Sequence, residues 1–150
     1  RFNGTPGASY QDTSFVFQVW ASARRVAILP KGYLHYRVDN ANSSVKSSAK
    51  VFAVCDEYEL SREFLAKDPE KQRAFGAIVN LLKLGTYRWN FNRLTDESRR
   101  AFAERMREEY LRAREEGTLD RGMFSPADWE MLNLMMDDFD AFMARFESGM

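Results

Sequence analysis

Val26-Ala27-Ile28-Leu29-Pro30-Lys31-Gly32-Tyr33-Leu34-His35-Tyr36-Arg37-Val38 is the stretch on which the fold class turns. Val26 to Leu29 is a short apolar run, Pro30-Lys31-Gly32 carries turn chemistry, and Tyr33 to Val38 is β-prone. Two such runs around a Pro/Gly turn predict a hairpin, or two strands of a larger sheet. Upstream, residues 1–11 are rich in Gly, Pro, Ser and Asn and read as loop. From Asp12 to about Ala23 the pattern is helical: Phe15, Val16, Val19 and Trp20 share a face, and Asp12 or Thr13 is placed to cap the start. Downstream, Asp39 to Ser44 reads as loop.

The remainder is helix. Ser47 or Ser48 caps a segment running to about Lys67, with Val51, Cys55, Tyr58 and Leu65 on one side. Asp68-Pro69 restarts a helix, because Pro suits the first helical position. Phe75, Ile78, Val79 and Leu82 point inward from it; Gly85 either interrupts or ends it, and Tyr87 to Phe91 continue the helical turn beyond. Thr95 caps the next helix, which stops at Gly117 and buries Phe102, Met106, Tyr110 and Ala113, with Glu108 and Arg112 spaced to pair. The last helix has the clearest start: Ser125 caps, Pro126 follows, Asp128 completes a capping box, and Phe124 staples onto Trp129. Trp129, Leu132, Met136, Phe139, Met143 and Phe146 then form one uncharged seam. The expected fold is therefore α+β and predominantly helical, a hairpin or sheet remnant followed by a multi-helix bundle. Residues 1–67 and 68–150 form its two parts. A hairpin alone is marginal, so either the helices or a sheet from elsewhere must support it.

The bulk composition narrows the function classes. With 150 residues, 45% hydrophobic and 14% aromatic, the chain can bury a real core. Lys plus Arg and Asp plus Glu balance at 22 each, which removes the usual electrostatic case for nucleic acid. The single cysteine, Cys55, cannot form an internal disulfide and fits a reducing compartment such as the cytoplasm. One Cys and one His exclude a His/Cys zinc cluster within the chain. No apolar run approaches the roughly 18 residues of a membrane span. The opening Arg1-Phe2-Asn3-Gly4-Thr5-Pro6-Gly7 has no initiator Met and reads as a loop entered from elsewhere, so the chain is expected to be a fragment.

Gln11-Asp12 leading into an aromatic-rich helix, then Ile28 to Arg37, then Asn42-Ser43-Ser44-Val45, resembles the acceptor half of bacterial family-2 glycosyltransferases over about residues 1–60. The resemblance implies a GT-A enzyme of cell-envelope or lipopolysaccharide assembly. Such an enzyme is inverting and moves a sugar from a nucleotide-sugar donor to a glycan or lipid-linked acceptor. It implies Asp12 as general base, Gln11 as the residue orienting acceptor or base, and Arg37 as a cationic contact to the donor diphosphate. Many relatives have a metal-contacting His two residues beyond the Tyr-Arg pair; Asp39 stands there and could ligate Mn²⁺ or Mg²⁺. The cation belongs to the whole enzyme, and none is expected on this chain alone. Apart from Asp138-Phe139-Asp140, which belongs to a helical stretch read as a solvated face, there is no Asp-X-Asp triplet, and there is no nucleotide-binding half, so the chain is expected to be inactive by itself. Such an enzyme would work in the cytoplasm, peripheral to the inner membrane face.

Each of these residues also has a plain structural reading. Asp12 is then a helix cap, Arg37 an exposed strand-end cation, Asp39 a turn residue, and Asp137, Asp138 and Asp140 a solvated helix face. His35 packs on a strand, Cys55 is an inert core thiol, and Trp20 and Trp89 belong to the core. The principal alternative function is a helical interaction or oligomerisation module, in which residues 68–150 dock a partner or second copy through the Met/Phe seam. Nucleic-acid binding through Arg99, Arg100, Arg105, Arg107, Arg112 and Arg114 is the weakest, because Glu104, Glu108, Glu109, Glu115 and Glu116 share their helix.

Overall fold

The computed structural model describes residues 10–35, 50–147 and 149–150. Within these residues six α-helices follow one another: α1 (Gln11–Ser22), α2 (Ala53–Ala66), α3 (Pro69–Arg93), α4 (Asp96–Glu115), α5 (Pro126–Asp137) and α6 (Phe139–Arg145). A short 3₁₀ turn, Arg121–Met123, joins α4 to α5.

The expected α+β class is overturned, since no strand occurs among the described residues. Residues 23–35 form neither helix nor ladder, and Ser22 to His35 are exposed throughout. Leu29 O accepts from Lys31 N at 2.8 Å, which closes a three-residue turn centred on Pro30. The fixed φ of proline suits that turn, whereas a two-residue hairpin loop needs positive φ. The β-prone side chains Val26, Ile28, Leu29, Tyr33 and Leu34 thus have strand propensity without a packed face to realise it. Tyr36, Arg37 and Val38 lie outside the described residues, as do the caps expected at Ser47 and Ser48.

The cap of α1 lies two residues before Asp12, the nearer of the two polar caps the sequence offers. Tyr10 is its N-cap, in the left-handed region at φ 60, and no side chain caps the helix. Tertiary contacts hold Tyr10 there: its hydroxyl donates to Asn90 Oδ1 at 3.0 Å, and its ring meets Trp89 edge-on at 6.2 Å. α1 is tied to α2 through a buried pair, in which Ser14 donates from both its hydroxyl and its backbone N–H to Glu57 Oε2.

α3 is the central strut. Asp68 caps it by accepting from Glu70 N at 3.1 Å and Lys71 N at 3.2 Å, ahead of Pro69 at the first turn. It runs unbroken through Gly85 for 25 residues, roughly 37 Å at the helical rise. Gly76 lets the loop after α4 approach closely, since a Cβ there would meet Thr118 Cγ2 at 3.1 Å. α4 ends as Gly117 predicts: Gly117 has φ 67, Thr118 N donates to Ala113 O, and Gly117 N donates to Arg114 O, a Schellman motif.

The cap of α5 also matches expectation, with Ser125 Oγ accepting from Asp128 N at 3.1 Å and Phe124 against Trp129. The helix then breaks at Asp138, where one continuous helix was expected. Asp138 becomes the cap of α6 by accepting from Ala141 N, and Arg107 supports the break by donating twice to Met136 O at 3.1 and 2.9 Å. The break shifts the helical phase, so that Phe142 is the fully buried aromatic of α6 while Phe139 and Phe146 flank it. Within the Met/Phe seam Leu132 and Met136 are core, each at most 1% exposed, while Trp129, Phe139, Met143 and Phe146 are half-buried against it.

The core joins Val54, Cys55 and Tyr58 of α2 to Tyr87 and Phe91 of α3, Phe102, Met106 and Tyr110 of α4, and the α5–α6 side chains. The Lys67–Asp68 turn joins two helices that share this core. Each fully buried aromatic or Met contributes about 1.5–3 kcal/mol. No helix among the described residues is long and apolar enough to cross a membrane.

Candidate functional site

Two places concentrate chemistry. The first is a groove of about 510 Å³ between α1 and α3, lined by Asp12, Thr13, Val16, Phe17, Trp20, Ala21, Phe75, Ile78 and Leu82. The helical spacing of residues 12, 13, 16, 17 and 20 sets these side chains along one stripe of α1. Phe17 meets Phe75 edge-on at 6.5 Å and closes the floor. Asp12 stands exposed at the first turn, in the positive end of the helix dipole, and among the described residues is the only charged one lining the groove. Gln11 is half-buried beside it. The walls are apolar: Val16 is 46% exposed, Trp20 54% and Leu82 49%. Trp20 and Trp89, read from sequence as core, are thus each more than half exposed, and Trp89 meets Tyr10 edge-on with Arg93 over its ring.

Arg37 and Asp39 lie outside the described residues, so only Asp12 and Gln11 of the expected site can be placed. His35 is exposed on an irregular segment rather than on a strand. Among the described residues no three His, Cys, Asp or Glu side chains gather where they could hold a metal ion. Asp12 has no second acid beside it in the groove, so the described residues do not form a site for Mn²⁺ or Mg²⁺.

The second place is not among the sites expected from the sequence. Lys83 and Glu109 are buried between α2, α3 and α4, with Nζ 3.5 Å from Oε2 and side chains 7% and 4% exposed. Glu109 also accepts from Tyr87 Oη at 2.6 Å and Arg105 Nε at 2.8 Å. The ammonium sits over the Tyr110 ring at 4.5 Å, and Tyr110 Oη donates to Asn80 O at 2.8 Å. Burial holds Lys83 below the usual lysine range, opposed by the neighbouring Glu109. The same desolvation, reinforced by the Glu109 charge, pushes the Cys55 thiol up to about 12 and Tyr87 well above its ordinary value. One sequence signal was available: Lys83 interrupts the apolar run Leu81-Leu82-Lys83-Leu84. The cavity beside Lys83 measures about 30 Å³, room for a water but not for a substrate. Its rim is an ion network in which Glu59 pairs with Arg62 at 2.7 Å and Arg112 at 2.6 Å, and Arg62 with Glu116 at 3.2 Å. The cluster is a structural polar knot.

The arginines of α4 are likewise engaged. Arg99, Arg100, Arg105 and Arg114 pair with Asp96, Asp140, Glu109 and Asp137. Arg112 reaches Glu59 of α2, where Glu108 on its own helix was the expected partner. Of the acids of the 137–140 stretch, Asp137 on α5 and Asp140 on α6 thus reach α4 through exposed ion pairs, while Asp138 caps α6. No family model, curated protein or solved structure matches the chain.

Proposed function

We propose that the chain supplies the acceptor side of an inverting glycosyltransferase, which moves a sugar from a nucleotide-sugar donor to a cell-envelope glycan or lipid-linked acceptor. The observation that carries the reading is the position of Asp12, an exposed carboxylate and, among the described residues, the one charge on an apolar groove that Trp20 walls and Phe17 and Phe75 also line. An aromatic wall suits the C–H face of a pyranose, and the carboxylate at its end is where an acceptor hydroxyl needs a base. The hydroxyl oxygen bonds to the anomeric carbon as the bond to the nucleoside diphosphate breaks. Asp12 takes the hydroxyl proton, and the configuration inverts. Gln11, adjacent on the first turn, orients the acceptor. The donor-side contacts implied by the same resemblance fall on Arg37 and Asp39. In the intact protein, Asp12→Asn should lower transfer by at least about 100-fold, the usual contribution of a general base, with the fold unchanged. Undiminished transfer would remove the assignment.

A helical interaction module is a second reading, and the groove walls favour it, since Val16, Trp20 and Leu82 expose more apolar surface than packing alone explains. The docking face then takes in Val16, Trp20 and Leu82 of α1 and α3, which are more exposed than the half-buried Phe139, Met143 and Phe146 of the Met/Phe seam. Light scattering of the wild type and Val16→Glu separates the readings. Mass that rises with concentration and falls to the monomer value in the variant would favour the module.

A further inference from the structure

Between Asp12 and Asp39 the chain carries no acidic residue, although acids number 22 in 150. At that density about four would be expected across the gap. Arg24, Arg25 and Lys31 lie within it, on a segment whose every residue from Ser22 to His35 is exposed. The same segment displays Val26 at 54%, Ile28 at 82%, Leu29 at 66%, Tyr33 at 70% and Leu34 at 82%. Val19 at 52% and Trp20 at 54% extend the apolar surface back onto the last turns of α1. A water-facing segment of a folded domain rarely shows this many large apolar side chains together with uncompensated cations.

We propose that residues 19–34 form a docking surface for an anionic lipid bilayer. The segment rests in the headgroup layer and does not cross the bilayer. Trp20 and Tyr33 have the amphipathic rings that settle at a membrane interface, while Ile28, Leu29 and Leu34 reach the upper acyl region. Arg24, Arg25 and Lys31 meet anionic headgroups, their aliphatic stems lying along apolar neighbours. Lys31 already folds over Tyr33, with Nζ 5.6 Å from the ring centroid. The irregular backbone keeps its polar groups at headgroup depth, where water still reaches them.

Charge selects lipid over the other occupants. A symmetric contact between two copies would set this patch against itself, cation facing cation. Nucleic acid would match the charge but leave the exposed aliphatic side chains without a partner. The proposal does not depend on the transferase reading, because vesicle binding is measured without turnover.

The test is flotation of the chain with phosphatidylcholine vesicles and with vesicles of phosphatidylcholine and phosphatidylglycerol, at low and high salt. Binding is expected to the anionic vesicles and to weaken as salt rises. Each cation near such a surface contributes about fivefold, so Arg24→Gln/Arg25→Gln/Lys31→Gln should bind roughly 100-fold more weakly. Ile28→Asp/Leu34→Asp should also release the chain at either salt, with its helical circular dichroism unchanged because both side chains are exposed. No flotation with anionic vesicles overturns the proposal. So does flotation unaffected by either set of substitutions. Two further outcomes would assign the surface elsewhere and equally overturn it: self-association abolished by Ile28→Asp/Leu34→Asp, or salt-dependent RNA retention in place of vesicle binding.

Discussion

Removing either member of the Lys83–Glu109 pair should have very unequal effects, because the two are unequally supported. Glu109→Leu takes from Lys83 the anion 3.5 Å away and from Tyr87 the acceptor at 2.6 Å. A buried charge left without its partner costs about 3–5 kcal/mol, and the orphaned Tyr87 hydroxyl about 1 kcal/mol or more. The change should therefore cost about 4 kcal/mol, a large share of a small domain's stability. Lys83→Met leaves Glu109 with Arg105 at 2.8 Å and Tyr87 at 2.6 Å, and puts an unbranched apolar chain against the Tyr110 ring. That change should stay within about 1 kcal/mol of the wild type, and could stabilise. Urea unfolding at pH 7 and fixed salt reads both, provided the slope m is shared. The pH dependence carries a sign. The folded pKa of Lys83 lies below its unfolded value, so the unfolded chain binds more protons and stability rises with pH through that window. The Glu109→Leu deficit should accordingly shrink as the pH rises toward the unfolded lysine value of about 10.4. A Glu109→Leu protein within 1 kcal/mol of the wild type, or a costlier Lys83→Met, would refute the reasoning.

Other expectations follow from single sites. Gly85 is exposed inside α3 and a Cβ there meets nothing within 4 Å, so Gly85→Ala should stabilise by about 0.5–1 kcal/mol in urea unfolding. Gly117→Ala meets no neighbour either but must hold φ near 67, so it should cost about 1 kcal/mol, seen as a lower Tm. Phe142 is fully buried at the α5–α6 corner, and Phe142→Ala should cost about 3–5 kcal/mol by the same urea measurement. The Cys55 thiol, 1% exposed and with its pKa pushed to about 12, should react with a disulfide reagent at pH 8 only after unfolding. Rapid labelling of the native protein would contradict its placement.

The helical part of the fold was legible wherever local chemistry and burial agreed. Asp68-Pro69, Ser125-Pro126 and Gly117 mark helix ends by capping rules that need no tertiary context, and each end falls where those rules put it. Phe102, Met106, Tyr110 and Ala113 recur at helical spacing and are all buried. The hairpin failed because β-propensity describes a fit to a packed surface, and residues 23–35 have no such surface. The start of α1 failed because Tyr10 is held at positive φ by Trp89 and Asn90, some 80 residues away in sequence. The break at Asp138 was hidden for a similar reason, since Arg107 of a different helix supports the freed Met136 carbonyl. Of the candidate site, the acid at the mouth of a helix was visible. The groove it faces was not, because Phe75, Ile78 and Leu82 come from α3.

The most direct test of the functional reading is the initial rate at which the intact protein releases nucleoside diphosphate from a panel of nucleotide sugars when a lipid-linked acceptor is added. The measurement compares the wild type with Asp12→Asn. The account predicts acceptor-dependent release from at least one donor, reduced about 100-fold or more in Asp12→Asn, with the KM for the donor little changed. Release that is equal in the two proteins, or absent with every donor from a folded wild type, would contradict it.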